Sequence, residues 1–178
     1  MESLENRFSK LEGHLKGDYK KLAGFAGVPF FILPYDPSLE RKVIQEVVRL
    51  QKRLENAGIG VERVSLGALF FSILKEKGYL EKSFELERED RNSFKRGIVS
   101  VVKDRIIEEL KNRAIDTGKT ILIMRAGAIF PFLRTSSILG ELEKVKSPIV
   151  LFYPGRYEDK KLYFLNETEG YYYRAIIV

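Results

Sequence analysis

TILIMRAGAIFPFLRTSSILGEL, residues 120 to 142, decides how the rest of the chain is read. Ile121, Leu122 and Ile123 form a β-branched, apolar run. Ala126-Gly127-Ala128 is a small-residue loop, and Phe130-Pro131 turns the chain into a helix. Strand, loop, helix puts the loop at the carboxyl end of a strand, where open α/β sheets collect ligands when the strand is parallel. Arg134 falls in the first turn of the expected helix, where the macrodipole favours anions over cations. It either holds an acidic group or pairs with a neighbouring carboxylate.

On the amino-terminal side, VPFFIL (residues 28–33) is almost continuously apolar, which suits a strand buried on both faces of a parallel sheet. Asp36 is an N-cap and Pro37 a first helical residue, so a helix runs from there to about Asn56. Its inward stripe is Val43, Val47, Leu50 and Leu54, widened by Ile44 and Val48, and Gly58 and Gly60 stop it. A short strand at 61–65 follows by a right-handed crossover, making a βαβ unit. Asp36 is read as a cap, although a strand's carboxyl end would also let it face a ligand. Further upstream, residues 3–15 place Leu4, Phe8, Leu11 and Leu15 on one helical stripe. That helix packs on the domain or serves as a partner-binding arm. His14 is the only histidine and reads as a surface residue on which no metal site can be built.

Residues 66–77 carry Leu69, Phe70, Ile73 and Leu74 for a buried helix. LEKSFELEREDRN (80–92) is a solvated face or connection. The longest helix spans 91–114, with Phe94, Ile98, Val101, Val102, Ile106 and Leu110 inward. Beyond the central stretch, PIVLFY (148–153) is a buried strand broken by Pro154-Gly155, with Arg156 and Tyr157 just past its end. Residues 162–165 and 171–178 read as an antiparallel pair at the sheet edge, turned around 166–170, with Arg174 interrupting the second strand. If strand order gathers Arg134, Arg156 and Arg174, they form a cationic pocket for carboxylate or phosphate. Tyr153, Tyr157 and the tyrosines at 171–173 would wall it. Otherwise the aromatics cover the sheet edge and each arginine pairs by itself.

At 178 residues the chain suits one domain, 1–178, with the amino-terminal helical segment 1–26 packed on it. A globule of that size buries roughly 70% of its unfolded surface. The absence of cysteine excludes disulfides, thiolate nucleophiles and Cys-ligated zinc, and with no secretory signal it favours a cytoplasmic protein. No run approaches a membrane span. The net charge of +6 is spread evenly, with 10 Lys and Arg against 8 Asp and Glu in 1–60, 13 against 11 in 61–120, and 8 against 6 in 121–178. A phosphate-tracking surface usually shows a basic cluster, so nucleic acid is a secondary reading. High Glu and Lys content with only 2 Met is compatible with a thermophilic source.

Catalytic motifs are missing. Gly118-Lys119-Thr120 imitates the end of a P-loop, but Arg113 stands where the first glycine belongs and the tripeptide precedes a strand instead of opening a helix. No Gly-x-Ser-x-Gly elbow surrounds Ser136 or Ser137, and neither a cofactor motif nor a nucleophile with its base is found.

Four segments together carry a resemblance: VPFFILPYDP (28–37), GAIFPFLRTSSILGEL (127–142), PIVLFYPGRY (148–157) and LYFLNETEGYYYRA (162–175). The chain resembles the BrxB family of bacteriophage exclusion (BREX) defence systems. The most specific parts are FPFLR (130–134), FYPG (152–155) and YYRA (172–175). Phe130 stands where the family pattern has Tyr, and Thr135-Ser136 where a Ser-His pair is frequent, which weakens any histidine chemistry there. The resemblance implies a non-catalytic, cytoplasmic subunit working beside a DNA methyltransferase, a large ATPase and an alkaline-phosphatase-like protein, PglZ. PglZ is the partner expected from that setting.

The expectation is therefore a single three-layer α/β domain with a largely parallel sheet, helices on both faces and an antiparallel C-terminal edge. It acts by binding, with Arg134, Arg156, Arg174, Gly127, Phe130 and Tyr157 as candidate partner or anion contacts. A nucleic-acid module and a regulator of a small phosphate or nucleotide are the alternatives.

Overall fold

Strand β1 (Phe30–Tyr35) is buried at every position, which requires helices on both faces of its sheet. The computed structural model supplies them, and describes residues 2–17, 30–80, 91–115, 118–130, 132–142, 144–169 and 174–178. Strands β2 (Gly60–Ser65), β3 (Lys119–Met124), β4 (Ile149–Glu158) and β7 (Ile176–Ile177) join β1 in the order β2-β3-β4-β1-β7. Every neighbouring pair along that path is parallel. Strands β5 (Lys161–Phe164) and β6 (Thr168–Glu169) are added antiparallel on the far half of β4.

Alternation along the strands divides the core into two layers. Phe31, Leu33, Leu122, Val150 and Phe152 point to one face, covered by α1 (Leu4–Lys16) and α2 (Glu40–Asn56). Ile32, Ile121, Ile123, Ile149 and Leu151 point to the other, beneath α3 (Leu66–Glu76), α4 (Arg91–Arg113) and α5 (Thr135–Leu139). The stripe of α2 buries Val43, Val47, Leu50 and Leu54, as its spacing requires. Ile98, Val102, Ile106 and Leu110 do the same on α4, while Val101 is only half-buried. The architecture is the expected three-layer α/β domain with a mostly parallel sheet.

Local chemistry sets the helix starts. Asp36 accepts the Ser38 N–H at 2.8 Å and opens a 3-10 turn, Pro37–Leu39, ahead of α2. Ser65 caps α3 through the Ala68 N–H at 3.3 Å, and Ser3 caps α1 through Asn6 N–H at 3.2 Å. Helix α1 is fastened at two places. Phe8 stacks on Phe152 at 5.5 Å between centroids, and the Arg7 guanidinium donates to the Val178 main-chain oxygen at 2.8 and 3.1 Å.

The expected βαβ unit is present, β1 and β2 being parallel strands of one sheet joined through α2, with β3 and β4 inserted between them. Four other expectations need correction. The run at 148–153 does not stop at Pro154-Gly155, since Gly155 adopts φ 152° and the Leu165 N–H donates to the Pro154 carbonyl, so β4 continues to Glu158. Arg156 and Tyr157 thus lie within a strand. The expected antiparallel edge is present, but β5 pairs with β4 and β6, and within 171–178 the described strand β7 runs parallel beside β1. The central loop is a 3-10 turn at Ala126–Ile129, and α5 begins only at Thr135, with Arg134 in extended conformation. Finally, His14 is half-buried, its ring stacked on Phe31 at 6.0 Å. Expectations placed on residues 18–29, 81–90, 131 and 171–173, and on the side chain of Phe94, lie outside the described residues.

Candidate functional site

Strand order singles out one place in the sheet. From β1 the chain crosses leftward to β2 over the α1/α2 face, whereas from β4 the next parallel strand, β7, lies rightward beyond β1. The hairpin that begins this second connection packs Leu162 and Phe164 into the opposite layer. Connections leaving two adjacent strands in opposite directions part at their carboxyl ends, and α/β proteins bind ligands in the crevice this leaves.

A cleft of about 480 Å³ opens there. Its floor is the carboxyl ends of β1 (Tyr35, Asp36) and β7 (Ile177, Val178). One wall is the start of α1, with Glu2, Arg7 and Lys10; the other is the hairpin, with Arg156, Tyr157 and Asn166. Burial pulls the Arg7 guanidinium below its ordinary value, an effect opposed by the nearby Glu2 carboxylate. Tyr35 is buried and its hydroxyl donates to the Glu40 carboxylate; burial first and that bond second push the phenol far up, so it stays neutral. The Ser38 contacts lower the Asp36 carboxyl, so Asp36 is at once a cap and a cleft residue.

Arg156 is held by its own hairpin. Its guanidinium carbon sits 4.4 Å from the Tyr163 ring centre, its Nε lies 3.1 Å from Glu158 Oε2, and one terminal nitrogen donates to the Asn166 carbonyl. Tyr157, beside it, is 47% exposed. On the outer side of the same hairpin the central loop is pressed close. A Cβ on Gly127 would meet Pro154 and Leu165 side chains at 3.6 Å, and the Phe130 ring lies 5.4 Å from Phe164 while remaining 37% exposed. Gly127 and Phe130 thus lie against the Pro154, Phe164 and Leu165 side of the hairpin, while Arg156, stacked on Tyr163, and Tyr157 extend from opposite faces of β4.

The three arginines are not gathered into one pocket. Arg134 is an exposed residue preceding α5 and does not line the cleft. Arg174 is exposed ahead of β7, at the amino end of the sheet, because β7 runs parallel to β1. Tyr153 is fully buried, edge-on to Phe164 at 5.2 Å, and so belongs to the core and not to the cleft wall. Arg7, Lys10 and Asn166 were missed by sequence reasoning. Arg7 and Lys10 share one helical face, three residues apart beside the buried stripe, but nothing local says that this face meets the far end of the chain.

Among the described residues no group of three or more His, Asp or Glu stands close enough together to hold a metal ion, and no helix is long and apolar enough to cross a membrane. What the arrangement offers is recognition: oriented guanidinium groups, an amide and exposed aromatic rings.

Comparison with known proteins gives a consistent result. The family model described as BREX protein BrxB matches residues 62–178, from β2 through the hairpin to β7. A BrxB from Bacillus cereus (strain H3081.97) is 29% identical over 158 residues, covering 83% of this chain and 82% of that protein. A BrxB from Escherichia coli O9:H4 (strain HS) is 23% identical over 180 residues, covering 97% and 90%. No solved structure matches the chain significantly. With a family match spanning well over half its length and including the whole hairpin, this chain belongs to the BrxB family, a component of BREX phage defence.

Proposed function

We propose that this protein is a non-catalytic, cytoplasmic scaffold or regulatory subunit of its BREX system, and that it acts by binding another protein of that system through the surface around β4 and β5. The observation that carries this reading is the pair of large aromatics kept 37% and 47% exposed, Phe130 on the central loop against Phe164 and Tyr157 on the hairpin that also orients Arg156. Exposed aromatic and arginine side chains on a fixed frame are the composition of protein interfaces, where they are enriched over the rest of a surface. Arg134, exposed four residues after Phe130, is included in the reading as a further candidate contact. The favoured partner is the PglZ-like phosphatase-domain protein, and the support for it is the company that BrxB family members keep.

The test is co-expression of a tagged copy with the neighbouring defence proteins, followed by size-exclusion at moderate salt with nuclease treatment. Stable co-elution with the PglZ-like protein is expected. Tyr157→Ala and Arg134→Glu should weaken it while leaving the melting temperature unchanged, since neither side chain is buried. Elution alone overturns the reading, and an association that disappears with nuclease replaces it with nucleic-acid binding, whose affinity would also fall steeply with salt.

A further inference from the structure

The cleft between α1 and the hairpin opens on the other side of the hairpin from the central loop, although Arg156 and Tyr157 belong to both. Cations approach it from two directions: Arg7 and Lys10 from the start of α1, and Arg156 from β4. Two of them are clamped. Arg7 gives Nε and Nη2 to the Val178 main-chain oxygen at 3.1 and 2.8 Å, and Arg156 gives Nε to Glu158 and one terminal nitrogen to the Asn166 carbonyl. A guanidinium has five N–H groups, so each is fixed in orientation with donors left over. That is the pre-organised arrangement that binds oxyanions well, because little side-chain entropy remains to be lost. Arg7 is also half-buried. A cation taken partly out of water gains more from an arriving anion than an exposed one does. The cleft also holds two acids, Glu2 near Arg7 and Asp36, which stays ionised while it accepts the Ser38 N–H at 2.8 Å, so the cationic side formed by Arg7, Lys10 and Arg156 is where an anion is received.

The location is also one where α/β proteins hold ligands, over the carboxyl end of β1 between β4 and β7, where the connections of β1 and β4 leave the sheet in opposite directions. Its 480 Å³ lies within the range of small-molecule pockets. Tyr157 adds a half-exposed aromatic ring on which a planar group can stack.

We infer that this cleft binds a small phosphate-bearing ligand, with the phosphate held by Arg7, Lys10 and Arg156 and any attached ring resting on Tyr157. The inference does not depend on the partner-binding reading, and a ligand held here would lie between α1 and the hairpin, bridging two elements that otherwise meet mainly through the sheet.

The experiment is thermal unfolding and calorimetric titration of the full chain with inorganic phosphate, AMP and ATP at matched ionic strength. A saturable rise in melting temperature is expected with at least one probe, because binding the folded state alone stabilises it. Lys10→Glu serves as the test variant, since Lys10 is exposed and packs on nothing in the core. It should keep the melting temperature of the free protein and bind at least about tenfold more weakly, the loss of one charge-assisted contact. Tyr157→Ala separates the sources: weaker AMP binding with unchanged phosphate binding identifies a nucleotide, and equal loss or no loss for both identifies the phosphate group alone. Absence of saturable binding for all three probes overturns the inference, as does equal affinity in Lys10→Glu and the natural protein. Partner co-elution is read in a different assay, so either conclusion can fail while the other stands.

Discussion

Strands β1 and β3 and the first half of β4 are buried at every described position after Lys119, and none of their residues has positive φ. A few residues further on, the hairpin has Asp159, Lys160, Leu165 and Asn166 at φ between 50° and 64°, and Gly155 at 152°. None of those four is glycine, and each non-glycine residue in the left-handed region costs roughly 1 kcal/mol. The sheet is held by apolar burial on both faces; the hairpin carries strain and is held by its contacts with the sheet and the central loop. Strained backbone concentrates at functional sites, and here it forms one wall of the cleft and carries the exposed ring of Tyr157.

The sharpest way to test that contrast is to damage each part separately. Phe152→Ala removes a fully buried ring that stacks on Phe8. It should destabilise the entire domain by about 3–5 kcal/mol in denaturant titration and loosen α1 at the same time. Gly155→Ala strikes the hairpin instead, because a Cβ there would stand 1.9 Å from the Tyr163 carbonyl oxygen. A loss of about 3 kcal/mol is expected. Hydrogen exchange should show it concentrated in β5 and the far half of β4, with β1 and β3 still protected. Uniform loss of protection would mean that hairpin and sheet unfold as one unit, and the comparison would fail.

A change of opposite sign follows for Lys160. At φ 63° after Asp159, it occupies a position where Asp-Gly is the favoured two-residue hairpin turn. Lys160→Gly should therefore stabilise the protein by about 1 kcal/mol. If that gain comes with weaker partner binding, the strain serves the surface; if binding is unchanged, it does not.

The smallest effect concerns α1. Burial, and then Lys10, lower the pKa of His14 below its ordinary 6.5, so the folded chain holds this proton less tightly than the unfolded one. The contribution is complete above the unfolded value and is lost progressively as pH falls below it. Melting temperatures followed from pH 7.5 to about 5.5 should decline more for the natural protein than for His14→Gln. Parallel curves would show that the stack on Phe31 is indifferent to the charge.

The elements were legible where one local rule governed each of them. The stripe of α2 and the cap at Asp36 follow from spacing and residue type, and so does the continuous apolar character of β1. Of the candidate residues, Gly127 and Phe130 come to lie against the hairpin that carries Arg156 and Tyr157, because the loop before FPFLR packs on the segment that follows FYPG. The partner of β7 was not legible, since Ile176 and Ile177 would satisfy either an antiparallel hairpin or a parallel edge. Nor was the extension of β4 past a proline and a glycine, which depends on the Leu165 N–H reaching the Pro154 carbonyl.

By itself the sequence determined most of the helices and buried strands, the apolar stripes they bury, and that the chain belongs to the BrxB family, because these depend on periodicity, capping and motif over short spans. Only the tertiary structure decided that β7 lies beside β1, that Arg7 and Lys10 face Arg156 across a cleft, and that Arg134 and Arg174 stay apart from it. Those relations join residues more than a hundred positions distant. They are set by strand order, and strand order is fixed by which packing of whole layers buries the most apolar surface, a property that no local pattern encodes.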